Sequence, residues 1–205
     1  MHIPDQRKEA SVRTNFAPFV RTFTAKSKVL DIACGQGFIL QMLKEADIEG
    51  VGIEFDDQLV EEARSAGLNV SQAEMFQYLQ STKDRFDGCI ASHIVEHFPP
   101  PKVLELLQLI NRVILEGGKL IIITPNIADL RRAVGDFWRD PTHVRPYPIE
   151  ALDKLLLRSG WKKIASGYHS DKRFSLARTI VHSIRNMLIG HYWRGEDLYV
   201  VARKD

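Results

Sequence analysis

The sequence predicts an α/β fold, in which strands and helices alternate along one chain. Three observations support this prediction. Short apolar runs rich in β-branched residues recur from residue 29 onward, glycines follow several of them, and segments with apolar residues at helical spacing lie between them. The chain has 205 residues, which is enough for a substantial core, and we expect a single domain over residues 1–205.

The charge and cysteine content argue against several classes of protein. Lysine and arginine number 28 against 26 aspartates and glutamates, and the net charge of +2 gives no strong signal for nucleic-acid binding. No apolar run is long enough for a transmembrane helix. Cys34 and Cys89 fall in predicted strand or turn positions, which favours buried thiols in a reducing compartment. We therefore expect a cytoplasmic protein without a disulfide framework.

The first predicted strand is followed at once by a glycine turn and a helix. Residues 29–32 form the strand, Gly35 and Gly37 the turn, and residues 38–46 the helix. Glycines let the backbone approach a ligand closely, and a helix N-terminus offers free N–H groups. The G-x-G-x-x-G fingerprint of dinucleotide-binding proteins is incomplete, because Leu40 occupies the third glycine position.

An acidic residue precedes these glycines in the pattern D-x-A-x-G-x-G. A carboxylate there would repel a pyrophosphate and suits a cation. The pattern resembles motif I of the class I S-adenosylmethionine-dependent methyltransferases. The resemblance implies S-adenosylmethionine as the cofactor, S-adenosylhomocysteine as the product, and a cofactor site that includes Asp31, Ala33 in the first glycine position, Cys34, Gly35 and Gly37. A tight turn without a ligand is the alternative.

The same resemblance sharpens the fold prediction. It implies a Rossmann-like, doubly wound and mostly parallel seven-stranded sheet, with the last strand antiparallel and helices on both faces. Spacing alone shows strands and helices that alternate and end in two strands. The predicted strands are residues 29–32, 50–54, 68–73, 86–92, 119–125, 161–167 and 198–203. The predicted helices include residues 38–46, 58–66, 102–115, 128–134 and 149–159.

Two segments lie outside this alternation. Residues 1–27 are predicted as an N-terminal helical cap on the sheet edge, with its helix interrupted near Pro18. In the resembled family such a segment can also lie over the cofactor. Residues 168–196 are predicted as a helical insertion. Its basic amphipathic part, residues 173–189, is expected to pack on the sheet edge or to form a homodimer contact rather than to lie on a membrane.

Acidic and aromatic residues follow the second and third strands. Glu54 ends the second strand, where a carboxylate can accept both hydroxyls of a ribose from NAD or from S-adenosylmethionine. Phe55 can pack on an adenine, whereas residues 56–57 fit a helix N-cap. After the third strand, the resemblance places Glu74 against the adenine amino group, with Met75 beside it. A helix-capping carboxylate is the alternative for Glu74.

The fourth strand leads into His93-Ile-Val-Glu-His97, and this run again resembles class I methyltransferases. The resemblance places Ser92 and His93 beside the methionine part of the cofactor. The run also matches H-x-x-E-H, the inverted zinc-peptidase motif, so a zinc hydrolase acting through His93, Glu96 and His97 is an alternative. Residues 99–101 are prolines, which leave room for only one helical turn, and no third ligand pattern is evident, so we expect no metal.

Residues 126–148 are predicted as a long connection at the ligand-binding edge of the sheet, and long loops in compact domains are usually functional. The F-W-x-D-P-T-H-x-R-P segment resembles methyltransferases of bacterial surface-polysaccharide synthesis, some of which methylate a sugar or its phosphate. We therefore expect a small-molecule or glycan acceptor. Arginines can grip a phosphate or carboxylate, and the predicted acceptor-binding residues are Asn126, Trp138, Arg139 and Arg145.

An alcohol acceptor must lose a proton, so a base with a pKa near neutrality would assist the transfer. His143 is the first candidate, with Asp140 available to orient it, and His97 is the second. For each of these histidines, a purely structural hydrogen bond within the loop is the alternative. A non-catalytic module that binds S-adenosylmethionine or a nucleotide is the alternative function, and the intact glycine pattern with Glu54 argues against it.

Overall fold

The computed structural model describes residues 6–127, 135, 137–169 and 197–205. The predicted helix over 128–134 and the predicted dimer contact over 173–189 lie outside these residues. The described strands are β1 Lys28–Ile32, β2 Glu49–Glu54, β3 Val70–Gln72, β4 Phe86–Ser92, β5 Ile114–Pro125, β6 Trp161–His169 and β7 Asp197–Lys204. The described helices are α1 Gln6–Val20, α2 Phe38–Glu45, α3 Asp57–Ser65, α4 Met75–Ser81, α5 Pro100–Val113 and α6 Ile149–Arg158.

All seven strands join one sheet in the order β3-β2-β1-β4-β5-β7-β6. The strands are parallel except β7, which runs antiparallel to both of its neighbours. The Rossmann-like sheet with a reversed last strand is therefore confirmed. The order reverses direction at β1, so a crevice opens at the carboxyl ends of β1 and β4, which is where open α/β sheets bind ligands.

Helices cover both faces of the sheet, because successive strand residues point to opposite sides. Leu30 packs into a core cluster with α5 and α6, whereas its neighbour Val29 packs into a second cluster with α1, α2 and α3. In β5, Leu120 and Ile122 belong to the first cluster and Ile121 to the second. Such strands, apolar on both faces, are typical of a central parallel sheet.

The N-terminal helix differs from its prediction in two ways. It is not interrupted at Pro18, because this proline lies in the last turn, where one lost backbone hydrogen bond does not end the helix. It also lies on a face of the sheet rather than at its edge. The Phe19 ring lies 5.1 Å from the ring of Tyr199 on β7, and Arg13 binds Glu45 of α2 through two hydrogen bonds of 2.6 and 2.8 Å.

Two strand boundaries also differ from the sequence-based expectation. β5 begins at Ile114 rather than at residue 119, because Ile114 pairs with Phe86 of β4 and both side chains are buried. The glycines that were expected to separate helix from strand instead form an irregularity within the pairing. β6 extends to His169, so the first two residues of the predicted insertion belong to the sheet.

The two cysteines agree with the expectation of unpaired thiols. Cys34 and Cys89 are both free thiols, Cys89 fully buried and Cys34 partly so. Among the described residues, no helix combines the length and the apolar character needed to cross a membrane.

Candidate active site

The loop between β1 and α2 is held in a backbone conformation that residues other than glycine rarely adopt. Ala33, Gly35 and Gly37 all have positive φ, at 53°, 55° and 81°. Glycine is favoured at position 37 by this φ, and a Cβ there would also lie 2.4 Å from Leu68 Cδ1 and 3.4 Å from Ala63 Cβ of α3. At Gly35, by contrast, a Cβ would meet nothing within 4 Å. The loop therefore packs closely against α3 on one side and leaves open space at Gly35 on the other.

A buried carboxyl group lies beneath this loop. Asp31 is 1% exposed, and its Oδ2 has no hydrogen-bond partner among the described residues. Desolvation by burial, followed by the negative charge of Glu54, raises the pKa of Asp31 to about 8. Burial and the same two carboxylates also raise the pKa of the Cys34 thiol, so it stays protonated. A cationic ligand would relieve the repulsion between the two carboxyl groups.

Glu54 fastens the glycine loop to the tip of β2. Its Oε2 accepts a hydrogen bond of 2.9 Å from the Gly35 N–H, and its Oε1 accepts from the N–H groups of Phe55 and Asp56 at 2.7 and 3.0 Å. A carboxylate has about four lone-pair sites, so acceptor capacity remains for a ribose hydroxyl. Asp56 caps α3 through the N–H groups of Gln58 and Leu59, as expected.

A surface cavity of about 360 Å³ lies beyond Glu54, where the adenine was expected. Phe55 is 73% exposed at its wall, so its ring is available for stacking. Glu74 also lines this cavity, but its carboxylate caps α4 by accepting from the N–H groups of Phe76 and Gln77. The capping alternative for Glu74 is therefore realised, and Met75 begins the helix and packs partly on the core.

The end of β4 carries a strained residue. His93 has a φ of 54°, which is unusual outside glycine, and its N–H donates to the Ile123 carbonyl at 2.8 Å. Its Nδ1 lies 3.3 Å from Glu96 Oε1, and its Nε2 lies 3.7 Å from Asp197 Oδ2 on β7. Ser92 beside it is half-buried. The backbone thus turns His93 toward two carboxylates at the carboxyl edge of the sheet.

The inverted zinc-peptidase arrangement does not form. That motif needs two histidines one turn apart on a stable helix, whereas Val95–His97 is a single 3₁₀ turn of three residues. The prolines that follow start α5 instead. The ring of His97 lies against the ring of His143, at a centroid distance of 4.8 Å, and not beside His93.

Glu96 joins the acceptor-side loop to the turn after β4. Its carbonyl accepts hydrogen bonds from the N–H groups of Val144 and Arg145, at 2.8 and 3.2 Å. Its carboxylate is 0% exposed, and Oε2 accepts from Thr124 Oγ1 of β5 at 2.9 Å. These contacts bring His97 and His143 together, although 45 residues separate their segments in the sequence.

Hydrogen bonds fix the tautomer of both histidines. His143 Nδ1 lies 2.7 Å from the Phe137 carbonyl, which can only accept, so Nδ1 carries the proton. His97 Nδ1 lies 2.9 Å from Thr142 Oγ1. That hydroxyl gives its one proton to Asp140 Oδ1 at 2.5 Å, so it accepts from His97 Nδ1. In the neutral rings, both Nε2 atoms therefore keep a free lone pair.

Asp140 lies near His143, as expected, but does not hydrogen-bond to it. Asp140 Oδ2 lies 3.8 Å from His143 Nε2, too far for a hydrogen bond, and the Phe137 carbonyl orients this ring. Asp140 instead accepts from the Thr142 hydroxyl and N–H, and these two bonds, ahead of the nearby histidines, lower its pKa. Asp140 thus acts through Thr142 on His97.

The predicted acceptor-binding residues fall into two groups. Trp138 is 58% exposed, and Arg139 and Arg145 are also exposed, with the Arg145 guanidinium 5.2 Å from the centre of the Tyr147 ring. Asn126 is 1% exposed and offers no surface to an acceptor. The indole and the two guanidinium groups thus form an open rim beside the paired histidines.

Sequence reasoning missed Thr142, the Phe137 carbonyl and the contact between Thr124 and Glu96. The Asp-Pro-Thr run is a turn signature in which an aspartate accepts from the residue two positions later, and it could have revealed Thr142. The carbonyl of Phe137 and the hydroxyl of Thr124 carried no sequence signal, because a backbone carbonyl has no identity in the sequence and Thr124 is 28 residues from Glu96.

The sheet order, its reversed last strand and the carboxylates around the glycine loop are those expected of a class I S-adenosylmethionine-dependent methyltransferase, and the protein is an enzyme of that class. The chain belongs to the family described as "Methyltransferase domain", whose model matches residues 5–166. S-adenosylmethionine is accordingly its cofactor, and the open space at Gly35 with the buried, unpartnered Oδ2 of Asp31 fits a cationic adenosine compound.

Two solved methyltransferase structures are similar to this protein. A S-adenosylmethionine-dependent methyltransferase from Archaeoglobus fulgidus superposes with a TM-score of 0.81 at 26% identity, over 96% of this chain and 94% of that one. Magnesium protoporphyrin IX methyltransferase from Synechocystis, solved with the cofactor bound, shares the fold at a TM-score of 0.66 and 12% identity, over 100% and 86% of the two chains.

A curated relative matches part of the chain. The ubiquinone biosynthesis O-methyltransferase of Xanthomonas oryzae pv. oryzae is 28% identical over 109 residues, which cover 50% of this chain and 44% of the relative. The chain therefore spans less than half the length of that relative.

Proposed function

We propose that the enzyme methylates a hydroxyl oxygen of a small acceptor, such as a sugar or a sugar phosphate. The supporting observation is the pair of imidazoles of His97 and His143, on the side of the site where the methyl acceptor would bind. Each Nδ1 donates a hydrogen bond to an oxygen of the protein, Thr142 Oγ1 for His97 and the Phe137 carbonyl for His143. Their Nε2 lone pairs suit an acceptor that must give up a proton, as an alcohol does.

Asp31, Glu54 and Phe55 are the residues that would bind the methyl donor. When bound, S-adenosylmethionine supplies a methyl group on a positively charged sulfur. Asp31 offers the cation a buried carboxyl group, Glu54 retains acceptor capacity for the ribose, and Phe55 offers a stacking surface. Each of these contacts orients the donor and excludes water, which is the main requirement of an in-line transfer.

The acceptor side has to remove one proton. In the net reaction an oxygen–carbon bond forms, a sulfur–carbon bond breaks, and the hydroxyl proton leaves. His143 is the first candidate to assist this removal and His97 the second, because each ring is only partly exposed and is held in one tautomer. Asp140 supports His97 by orienting Thr142.

The rim beside these rings supports a sugar phosphate as the acceptor class. The exposed indole of Trp138 offers an apolar face for a sugar ring, and Arg139 and Arg145 offer planar donor groups for a phosphate. The relatives named as ubiquinone biosynthesis O-methyltransferases support oxygen as the methylated atom. They make a hydroxylated precursor of ubiquinone the second candidate.

The test is transfer of an isotopically labelled methyl group to a panel of nucleotide sugars, sugar phosphates, glycans, ubiquinone precursors, RNA and small metabolites. Mass spectrometry should find the label on an oxygen of one class of hydroxylated small molecule. Label on nitrogen or carbon, or on RNA alone, would contradict the proposal. Calorimetry separates the non-catalytic alternative: such a module would show cofactor binding without label transfer to any acceptor.

A further inference from the structure

We propose that Glu96, His97 and His143 together form a binding site for one divalent transition-metal ion. One potential ligand atom from each of these three residues lies within 4.8 Å of the other two. Two imidazole nitrogens and one carboxylate oxygen form a set that metal enzymes use with open coordination positions. This site differs from the zinc-peptidase arrangement, because His143 from the distant loop takes the place of His93.

The buried carboxylate is the second, independent observation. Glu96 is fully buried, and only Oε2 has a hydrogen bond, from Thr124. Oε1 has no hydrogen-bond partner among the described residues, and the nearby His93 Nδ1, at 3.3 Å, carries a compensating charge only when that ring is protonated. A buried carboxylate with an unsatisfied oxygen is costly unless a charge compensates it, and a bound cation would do so.

The hydrogen bonds made by the other ring nitrogens of His97 and His143 are also those that a metal site requires. Metal-bound histidines usually donate their other ring N–H to an oxygen, which fixes the ring and raises its basicity. His143 Nδ1 donates to the Phe137 carbonyl, and His97 Nδ1 donates to Thr142, which is itself held by Asp140. Both Nε2 atoms are thus left as ligands, and the negative charge of Asp140 strengthens one of them.

The ligand chemistry selects the ion. Imidazole nitrogens suit Zn²⁺, Fe²⁺ and Mn²⁺, whereas Mg²⁺ and Ca²⁺ prefer oxygen ligands alone. Three protein ligands on a four-coordinate or larger ion leave a position for an acceptor oxygen. The role of this site rests on the proposed O-methylation and changes the part of the two histidines in it. With the ion bound, their Nε2 lone pairs would hold the metal instead of taking the proton. The ion would lower the pKa of the acceptor hydroxyl, and the proton would leave to solvent.

The experiment measures metal binding without cofactor or acceptor. Chelated and dialysed protein is titrated with ZnCl₂, MnCl₂ and MgCl₂ in a calorimeter. We expect one Zn²⁺ or Mn²⁺ per chain, bound at least about tenfold more tightly than Mg²⁺. His97→Ala and His143→Ala should each weaken Zn²⁺ binding by about 10- to 100-fold or more. Absence of binding, or equal affinity in His143→Ala, would overturn the site.

Two variants make the test specific. His93→Asn keeps a residue that tolerates a positive φ and should keep the bound ion, whereas the zinc-peptidase arrangement would lose it. Lys154→Ala changes an exposed residue of α6 that is not one of the three proposed ligands, and it should bind as the wild type does. Glu96→Gln should also lower the affinity for Zn²⁺. If that variant does not fold, X-ray absorption of the Zn²⁺-loaded wild type tests the site instead, and it should show two imidazole ligands.

Methyl transfer is then measured on chelated and on reloaded wild type. If methyl-transfer activity is lost on chelation and returns with Mn²⁺ or Zn²⁺, the ion takes part in the reaction. Unchanged activity in the metal-free protein would show that it does not. An enzyme that binds one ion at these residues yet methylates no hydroxyl would leave the metal site standing and overturn the proposed function.

Discussion

Leu40 of α2 packs against Gly52 of β2, where a Cβ on the glycine would lie 2.7 Å from Leu40 Cδ1. In the dinucleotide fingerprint, the third glycine lies on the helix so that helix and strand can approach closely. Here the leucine occupies that helix position and the strand provides the glycine. The missing third glycine is therefore compensated at the α2–β2 interface, where the large side chain lies on the helix and the glycine on the strand.

The first prediction concerns this interface. Gly52→Ala should lower the free energy of unfolding by about 1–3 kcal/mol, because the new methyl group overpacks Leu40 and also lies 2.6 Å from Cys34 Sγ. Urea denaturation measures the change. Gly135→Ala is the control, since a Cβ there meets nothing within 4 Å among the described residues. In the double variant with Leu40→Ala the losses should be less than additive, and strict additivity would refute the contact.

The second prediction concerns the pH dependence of cofactor binding. Asp31 has a pKa of about 8 in the structure, so it is largely protonated at pH 6, and a sulfonium favours its ionised form. Affinity for S-adenosylmethionine should therefore rise by up to roughly tenfold per pH unit between pH 6 and 7.5, with proton release on binding. Calorimetry in buffers of different ionisation enthalpy counts the protons. A flat profile would show that Asp31 is already charged.

The third prediction concerns stability. The pKa of Asp31 in the folded protein, about 8, lies above its usual value of 3.8. The folded protein therefore holds a proton that the unfolded chain releases, and stability falls as pH rises from about 4 to about 8. Asp31→Asn removes this loss. We expect the free energy of unfolding of this variant at pH 8 to exceed that of the wild type by about 1–3 kcal/mol. We also expect it to lose affinity for the cofactor. An equal difference in stability at pH 5 and pH 8 would contradict the assignment.

The fourth prediction concerns the paired histidines. His143→Ala should reduce turnover about 10²- to 10⁴-fold while the dissociation constant for S-adenosylmethionine stays the same, because the ring lies on the acceptor side. Steady-state kinetics and calorimetry together separate the two effects. Lys154→Ala on the exposed side of α6 serves as the control. Wild-type turnover in the His143 variant would remove this residue from the reaction.

The fifth prediction concerns the acceptor. Replacing Arg139 or Arg145 with Gln should raise KM for a phosphorylated acceptor about 10- to 100-fold, since a charged hydrogen bond is lost, and should leave KM for its dephosphorylated analogue unchanged. Arg→Lys variants keep the charge but lose the planar pair of donors, and they should fall in between. Equal effects on both acceptors would place the arginines away from a phosphate.

The sequence by itself determined the alternation of strands and helices and the glycine turn after the first strand. Its resemblance to the class I methyltransferases supplied the reversed last strand and the choice of cofactor. Apolar runs buried on both faces specify central parallel strands, and Asp31, Gly35 and Glu54 lie on segments whose spacing places them at one sheet edge. These signals are local, because each rests on a few consecutive residues and on the fixed geometry of strand, turn and helix.

Only the tertiary structure decided the acceptor side. His97 and His143 meet because backbone N–H groups of the loop donate to the Glu96 carbonyl, and no side-chain pattern encodes that contact. The hydrogen bonds of the two rings are likewise made by groups that the sequence did not single out, the Phe137 carbonyl for His143 and the Thr142 hydroxyl for His97. Hydrogen bonds between distant backbone groups depend on how the chain closes in three dimensions, so one-dimensional spacing predicted the residues of this site but not their partners.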